Sequence, residues 1–184
     1  MKDFWSENSK IIKKLLLNQF GATFFGIMLF MSSYAINTDK PWPTLLASCL
    51  ATVFYLYLIY LELWERGGQD RIKIDGGRAV RKPLTGLYVL LFANIPNFII
   101  AILVLVSYPF KESVAAMGNM YGIGRALCAL WEGMYLGIVK YFSPNNPIIH
   151  LLYVFPAMIV GAGAYLLGLS NRRLLGGAVS KQSK

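Results

Sequence analysis

PLTGLYVLLFANIPNFIIAILVLVSYPF, residues 83–110, contains no charged residue. A helix needs about 20 apolar residues to cross the roughly 30 Å of hydrocarbon in a bilayer, and this stretch exceeds that length. Three other stretches are equally free of Asp, Glu, Lys and Arg, at residues 15–38, 41–61 and 141–171. Together the four stretches predict an integral membrane protein.

The composition agrees with a membrane location. Hydrophobic residues make up 56% of the 184-residue chain and charged residues 15%, whereas soluble domains average about 45–50% and about 25%. The net charge of +9 is gathered beside the apolar stretches, a pattern that orients membrane proteins, so no nucleic-acid partner is predicted. The two cysteines, Cys49 and Cys128, are too few for a disulfide framework.

These observations predict an all-α fold, an integral membrane helical bundle that forms a single transmembrane domain over residues 1–184. Four transmembrane helices are expected at about 16–36, 42–64, 85–108 and 148–169, and a short polar turn at 37–41 joins the first two. The remaining parts are a cytoplasmic basic loop at 65–82, an outer amphipathic segment at 109–147 and a basic C-terminal tail at 170–184.

Lysine and arginine are enriched on the cytoplasmic side of membrane proteins, and this rule gives the orientation. With four spans, fourteen of the 18 Lys and Arg residues lie on the side of both termini and four lie outside. A fifth span at 121–142 would change the division to eleven against seven, and would hold Glu132 near the bilayer centre at a cost of about 2.5–3.5 kcal/mol. We therefore expect the cell membrane, cytoplasmic N- and C-termini, and an interfacial or re-entrant helix at 121–142.

The third span contains a polar notch, formed by Asn94, Pro96 and Asn97. Proline cannot donate the helical hydrogen bond, so the helix should kink there. The two asparagines are three residues apart and share one face. They either bind a polar ligand or ion, or bond to neighbouring helices and stiffen the bundle. We favour the second interpretation because polar side chains in lipid often link helices.

Small residues four apart recur along the spans and predict close helix contacts, since they let backbones approach. The packing residues expected in the fourth span are Ala157, Gly161, Ala164 and Gly168. Similar pairs occur in the first span, Ala22 and Gly26, and in the second, Ala47 and Ala51. The pattern fits a tight bundle or a face for self-association, and does not choose between them.

The outer connection holds two candidate binding residues, Arg125 and Glu132, which are seven apart and so on one helix face. They could form a pore rim or a partner contact, but we expect them on the wet face of an interfacial helix. Burial would require the two charges to neutralise each other. His150 is the only histidine, and a lone histidine near the mouth of a span is expected to be an interface residue with a satisfied hydrogen bond.

The cytoplasmic loop is basic and is expected to contact anionic headgroups, at about 1 kcal/mol for each residue near the surface. Docking of a soluble partner is the alternative. Paired glycines bracket an alternating piece at 71–74 that fits a short strand or hairpin arm. The basic residues are Arg66, Arg71, Lys73, Arg78, Arg81 and Lys82.

No catalytic or metal-binding constellation is evident, so neither an enzyme nor a cofactor is predicted. The loop looks briefly like the opening of the CDP-alcohol phosphatidyltransferase signature at Asp75-Gly76-Gly77-Arg78, but Val80 stands where that signature requires arginine. The metal-holding aspartates are also missing, because no Asp follows Asp75. A zinc site needs several ligands, which one histidine and two separated cysteines do not supply.

The segment from Trp64-Glu65-Arg66-Gly67 through Asp70-Arg71 to Gly77-Arg78 resembles the loop of small uncharacterised multi-pass membrane proteins of Gram-positive bacteria. The resemblance implies a multi-pass topology and brings no activity with it.

Three functions follow from the sequence, in order of preference. The first is a non-catalytic subunit or accessory protein that binds a membrane-protein partner or a second copy of itself. The second is an oligomeric transporter or channel protomer in which Asn94, Asn97 and Glu132 line the path. It ranks lower because the four span cores contain no ionisable residue of the kind that charge-coupled transport usually needs. A lipid-modifying enzyme is third.

Overall fold

A computed structural model describes residues 2–36, 42–142 and 145–172. Within these ranges the chain is all α-helical and contains no strand, as the sequence predicts. The expected turn at 37–41 and the tail from residue 173 onward lie outside the described residues. Three helices are long and apolar enough to cross a membrane, or four if one bent pair counts as a single span.

The first two helices are long. Helix α1, Lys2–Ile36, has 35 residues and α2, Trp42–Asp75, has 34. At 1.5 Å per residue each measures about 50 Å, which exceeds the roughly 30 Å of a bilayer core. The helices pack along each other, and the ion pair between Lys14 and Glu62 (2.8 Å) joins them.

The strand or hairpin arm expected at 71–74 is wrong, because α2 continues to Asp75. Ion pairs four residues apart support this last part of the helix, between Arg66 and Asp70 (3.4 Å) and between Arg71 and Asp75 (3.2 Å). The basic loop expected at 65–82 is therefore largely helical, and only the segment after residue 75 consists of turns and an irregular connection.

The kink predicted in the third span is confirmed. Helix α3, Thr85–Ala93, and helix α4, Ile95–Ser107, meet at Asn94 with a bend of 53°. Pro96 is the second residue of α4, where a missing N–H removes no helical hydrogen bond. A 3₁₀ turn at Tyr108–Phe110 ends this part of the chain.

Residues 115–142 fold into a helical hairpin rather than the single helix expected at 121–142. Helix α5, Ala115–Trp131, runs back along α4 and ends at Glu132. A 3₁₀ turn, Gly133–Tyr135, follows and leads into α6, Leu136–Phe142, which packs on α2. We call residues 115–142 the α5–α6 hairpin.

Glycines let the tip of the hairpin enter the bundle. A Cβ on Gly133 would meet the side chain of Ile27, and one on Gly26 would overlap the backbone of Met134. The hairpin also returns to the end of the bundle from which it came. Lys140, near the end of α6, lies over the ring of Tyr34 at 4.3 Å, close to the end of α1.

The last helices are α7, Ile149–Leu152, and α8, Val154–Leu169, which packs mainly on α2. The four small residues singled out in α8 are all buried: Ala157, Gly161, Ala164 and Gly168. A Cβ on Gly168 would overlap the carbonyl oxygen of Trp64, whereas one on Gly163 would meet nothing within 4 Å.

Gly168→Ala is expected to lower the free energy of unfolding by about 1–3 kcal/mol, because the methyl group forces α8 away from α2. Gly163→Ala is the matched control on the same helix. Both changes improve helix propensity by about 1 kcal/mol, so their difference isolates the close contact. Unfolding of the purified protein in mixed micelles measures both. Equal stability of the two variants would contradict this packing.

Candidate functional site

A group of polar side chains meets inside the bundle, where the hairpin tip faces α1, α3, α4 and α7. Its members come from five separate helices or their ends, and all but Arg125 are buried. We call this group the polar cluster: Gln19, Asn94, Asn97, Arg125, Cys128, Glu132 and His150.

Amides form one half of the polar cluster. Asn97 accepts a hydrogen bond from Gln19 on α1 (2.6 Å) and donates to the Oδ1 atom of Asn94 (2.6 Å). Asn94 in turn donates to the Leu90 carbonyl oxygen (2.9 Å). The kink brings the two asparagines to face α1, and the link to Gln19 is the kind of bond between helices that the sequence favoured. Gln19 itself was not foreseen.

Ionisable groups form the other half. The Oε2 atom of Glu132 lies 2.8 Å from Nδ1 of His150, and Nη1 of Arg125 lies 3.2 Å from Nε2 of the same ring. A guanidinium can only donate, so Nε2 accepts and the proton sits on Nδ1, which donates to the carboxylate. A neutral imidazole thus bridges one positive and one negative charge.

The expectation that Arg125 and Glu132 lie on the solvent-facing side of an interfacial helix is wrong. Glu132 is 4% exposed and lies at the hairpin tip, and Arg125 is half-buried. A buried carboxylate is tolerated when it is paired and hydrogen-bonded. His150, which is 3% exposed, provides that pairing. The two charges are balanced through the imidazole rather than by direct contact.

A third group joins this half, namely the Cys128 thiol. Donor atoms of Cys128, Glu132 and His150 all lie within 4.8 Å of one another, and all three residues are buried. Sulfur, oxygen and nitrogen donors at this spacing form a set that could hold a metal ion. This set was not predicted from the sequence, although Cys128 and Glu132 stand four residues apart, at a spacing that shares one helix face.

A cavity of about 10 Å³ connects the two halves, about the space that one water molecule needs. Two buried polar atoms of its lining residues lack a hydrogen-bond partner within the described part of the chain, namely Oε1 of Glu132 and the hydroxyl of Tyr153. The lining residues are Gln19, Tyr55, Asn94, Asn97, Glu132, Met134, Tyr135, Tyr153 and Val154.

The six basic residues at the other end of the bundle divide into two groups. Arg66 pairs with Asp70, Lys73 also reaches Asp70 (3.7 Å), and Arg71 pairs with Asp75. The second group follows the end of α2 and is exposed to solvent. Its members are Arg78, Arg81 and Lys82.

Comparison with protein-family models, with curated proteins and with solved structures finds no match for this chain.

Proposed function

We propose that this chain is a multi-pass protein of the cell membrane with four spans, both termini in the cytoplasm, and the α5–α6 hairpin re-entrant from the outer side. The lysine and arginine asymmetry supports the orientation. The hairpin supports the re-entrant topology, because α5 and α6 have only 17 and 7 residues and their outer ends meet the same end of the bundle. A turn between two helices is tolerated within the hydrocarbon layer when protein surrounds it, as the bundle surrounds the tip of this hairpin.

We propose further that the protein is a small transporter or channel protomer that admits a cation to the polar cluster. One observation carries this proposal, which is that Glu132 and His150 are buried inside the bundle and are linked there to the half-buried Arg125. Burying an ionisable group inside a membrane protein costs free energy, and such groups mark ion and substrate pathways. The hairpin supplies the ionisable residues that the four span cores lack.

The charge arrangement gives a mechanism for loading and release. Before a cation enters, Arg125 balances Glu132 through His150. A cation that reaches Glu132 neutralises the carboxylate in place of Arg125. The Arg125 guanidinium, which then lacks a counter-charge, repels the cation. Binding is therefore favourable but not tight, which transport requires because the ion must also leave. The amides and the small cavity offer further oxygen ligands beside the carboxylate.

Replacing both amides tests the proposal. In liposomes, the parent protein is expected to raise the entry of at least one cation under an inside-negative potential, read with trapped dyes for protons, alkali cations and Zn²⁺. Asn94→Leu/Asn97→Leu should abolish that entry while the protein still folds. If the double variant is only less stable and its flux per folded molecule is unchanged, the amides are structural.

The accessory role is a second candidate, favoured by the exposed Arg78, Arg81 and Lys82 after the end of α2. Each could contribute about 1 kcal/mol to contact with anionic headgroups, or the three could dock a partner. Reversing all three to Glu should release a partner that co-purifies from native membranes, while Lys111→Glu at the other end of the bundle should not. Absence of a co-purifying protein would count against this candidate.

A further inference from the structure

Three of the buried side chains offer different donor atoms to one point. They are the thiol of Cys128, the carboxylate of Glu132 and the imidazole of His150, within 4.8 Å of one another. We propose that these three residues bind a divalent transition-metal ion such as Zn²⁺. The inference rests on the proposed function in that it names the cation that the polar cluster takes.

The donor set selects the class of metal. Thiolate and imidazole ligands suit Zn²⁺ and its neighbours in the first transition row, whereas Mg²⁺ and Ca²⁺ prefer all-oxygen sites. Three protein ligands leave a fourth position open, which is the pattern of sites that exchange a ligand rather than of closed structural sites. In a tetrahedral site with bonds of about 2.0–2.3 Å, neighbouring donors lie about 3.5 Å apart. The present spacing reaches that value through side-chain shifts of about 1 Å.

An orphaned atom points to the same place. Oε1 of Glu132 is buried and has no hydrogen-bond partner in the described residues, while Oε2 is taken by His150. A buried carboxylate oxygen left unpaired costs free energy. A metal ion held by Oε1 would satisfy it, and the glutamate could then keep its position at the hairpin tip.

The charges also balance. Without metal, the Arg125 guanidinium and the Glu132 carboxylate sum to zero. With a divalent ion, the Cys128 thiol gives up its proton to solvent, and two negative ligands neutralise the two positive charges. The ion and its two anionic ligands sum to zero only without Arg125, so the half-buried guanidinium must turn away from the ring towards solvent when the ion binds. Nδ1, the nitrogen that faces Glu132, then ligates the ion, and the imidazole proton moves to Nε2.

Cobalt(II) provides the test, because thiolate ligation gives it a charge-transfer absorption band. The protein to use is full-length Cys49→Ser in detergent micelles with its purification tag removed. Cys49 is exposed on α2, and in its absence any cobalt–thiolate band must come from Cys128. We expect one cobalt per chain with a thiolate band, and loss of the band when Zn²⁺ is added.

Two variants in the same background complete the test. Cys128→Ser should remove the thiolate band, and Glu132→Gln should weaken cobalt binding by about 100-fold or more, since changes to partners outside the first shell already cost 10–100-fold. Absence of a thiolate band from the folded Cys49→Ser protein would overturn the proposal, whatever the variants do. Cobalt binding that is not weakened by Glu132→Gln would overturn it as well.

The outcome is separable from that of the proposed function. Cation flux in liposomes without a cobalt–thiolate band would leave the transport proposal standing and would reject the metal site. A band without flux of any cation would establish the metal site and reject transport.

Discussion

Glu132→Gln is expected to reduce cation entry into proteoliposomes to the rate of empty liposomes. Glutamine has nearly the same shape and can still bond to His150, but it has no charge to attract a cation. The change also leaves the Arg125 guanidinium unbalanced beside the cavity, and this positive charge repels an entering ion in a medium of low dielectric. The measurement is the initial rate of dye response at equal amounts of reconstituted protein.

Glu112→Gln is the matched control for this prediction, because Glu112 lies in the same connection between α4 and α7 but is exposed. It should leave flux unchanged. Equal flux from the two glutamine variants would show that the buried carboxylate plays no part in conduction, and the transport proposal would then fail.

His150→Phe is expected to cost about 3–5 kcal/mol of unfolding free energy, the range found when a buried charge is left without its partner. Phenylalanine keeps an aromatic ring of similar width but has no nitrogen. Glu132 would lose the hydrogen bond to Nδ1 (2.8 Å) and its only link to Arg125 through the ring. Chemical unfolding in mixed micelles measures the loss.

The double variant His150→Phe/Glu132→Leu should regain most of that stability, because it also removes the uncompensated carboxylate, and the half-buried Arg125 can turn its guanidinium towards solvent. The two changes are thus expected to be strongly non-additive. Additive losses would mean that His150 does not hold the carboxylate, contrary to the geometry of the polar cluster.

Features that depend on nearby residues were predictable from the sequence. The kink at Asn94 follows from Pro96, two residues along the chain. The apolar helices follow from charge-free stretches, because hydrocarbon excludes ions. In both cases the cause and its effect lie within one helix, so no knowledge of the folded bundle is needed.

Features that depend on distant partners were not predictable. Gly67 and Gly68 suggested a break, yet α2 continues because buried Gly67 lies directly against Gly168 of α8. Glu132 suggested a wet surface, since a single carboxylate is costly to bury. The Glu132 carboxylate can be buried because it pairs with His150, which is 18 residues away. Its burial also depends on the glycines that let the hairpin tip reach α1.

Thiol labelling of intact cells tests most directly whether residues 115–142 enter the bundle and return. Single cysteines replace Glu112 or Asn145, which are exposed at the two ends of the hairpin, in a Cys49→Ser/Cys128→Ser background, with Arg78→Cys as the cytoplasmic control. A membrane-impermeant maleimide should label both hairpin positions from outside and leave position 78 unlabelled until the cells are opened. Labelling of position 112 but not of position 145 would make the segment a fifth span and contradict the re-entrant topology.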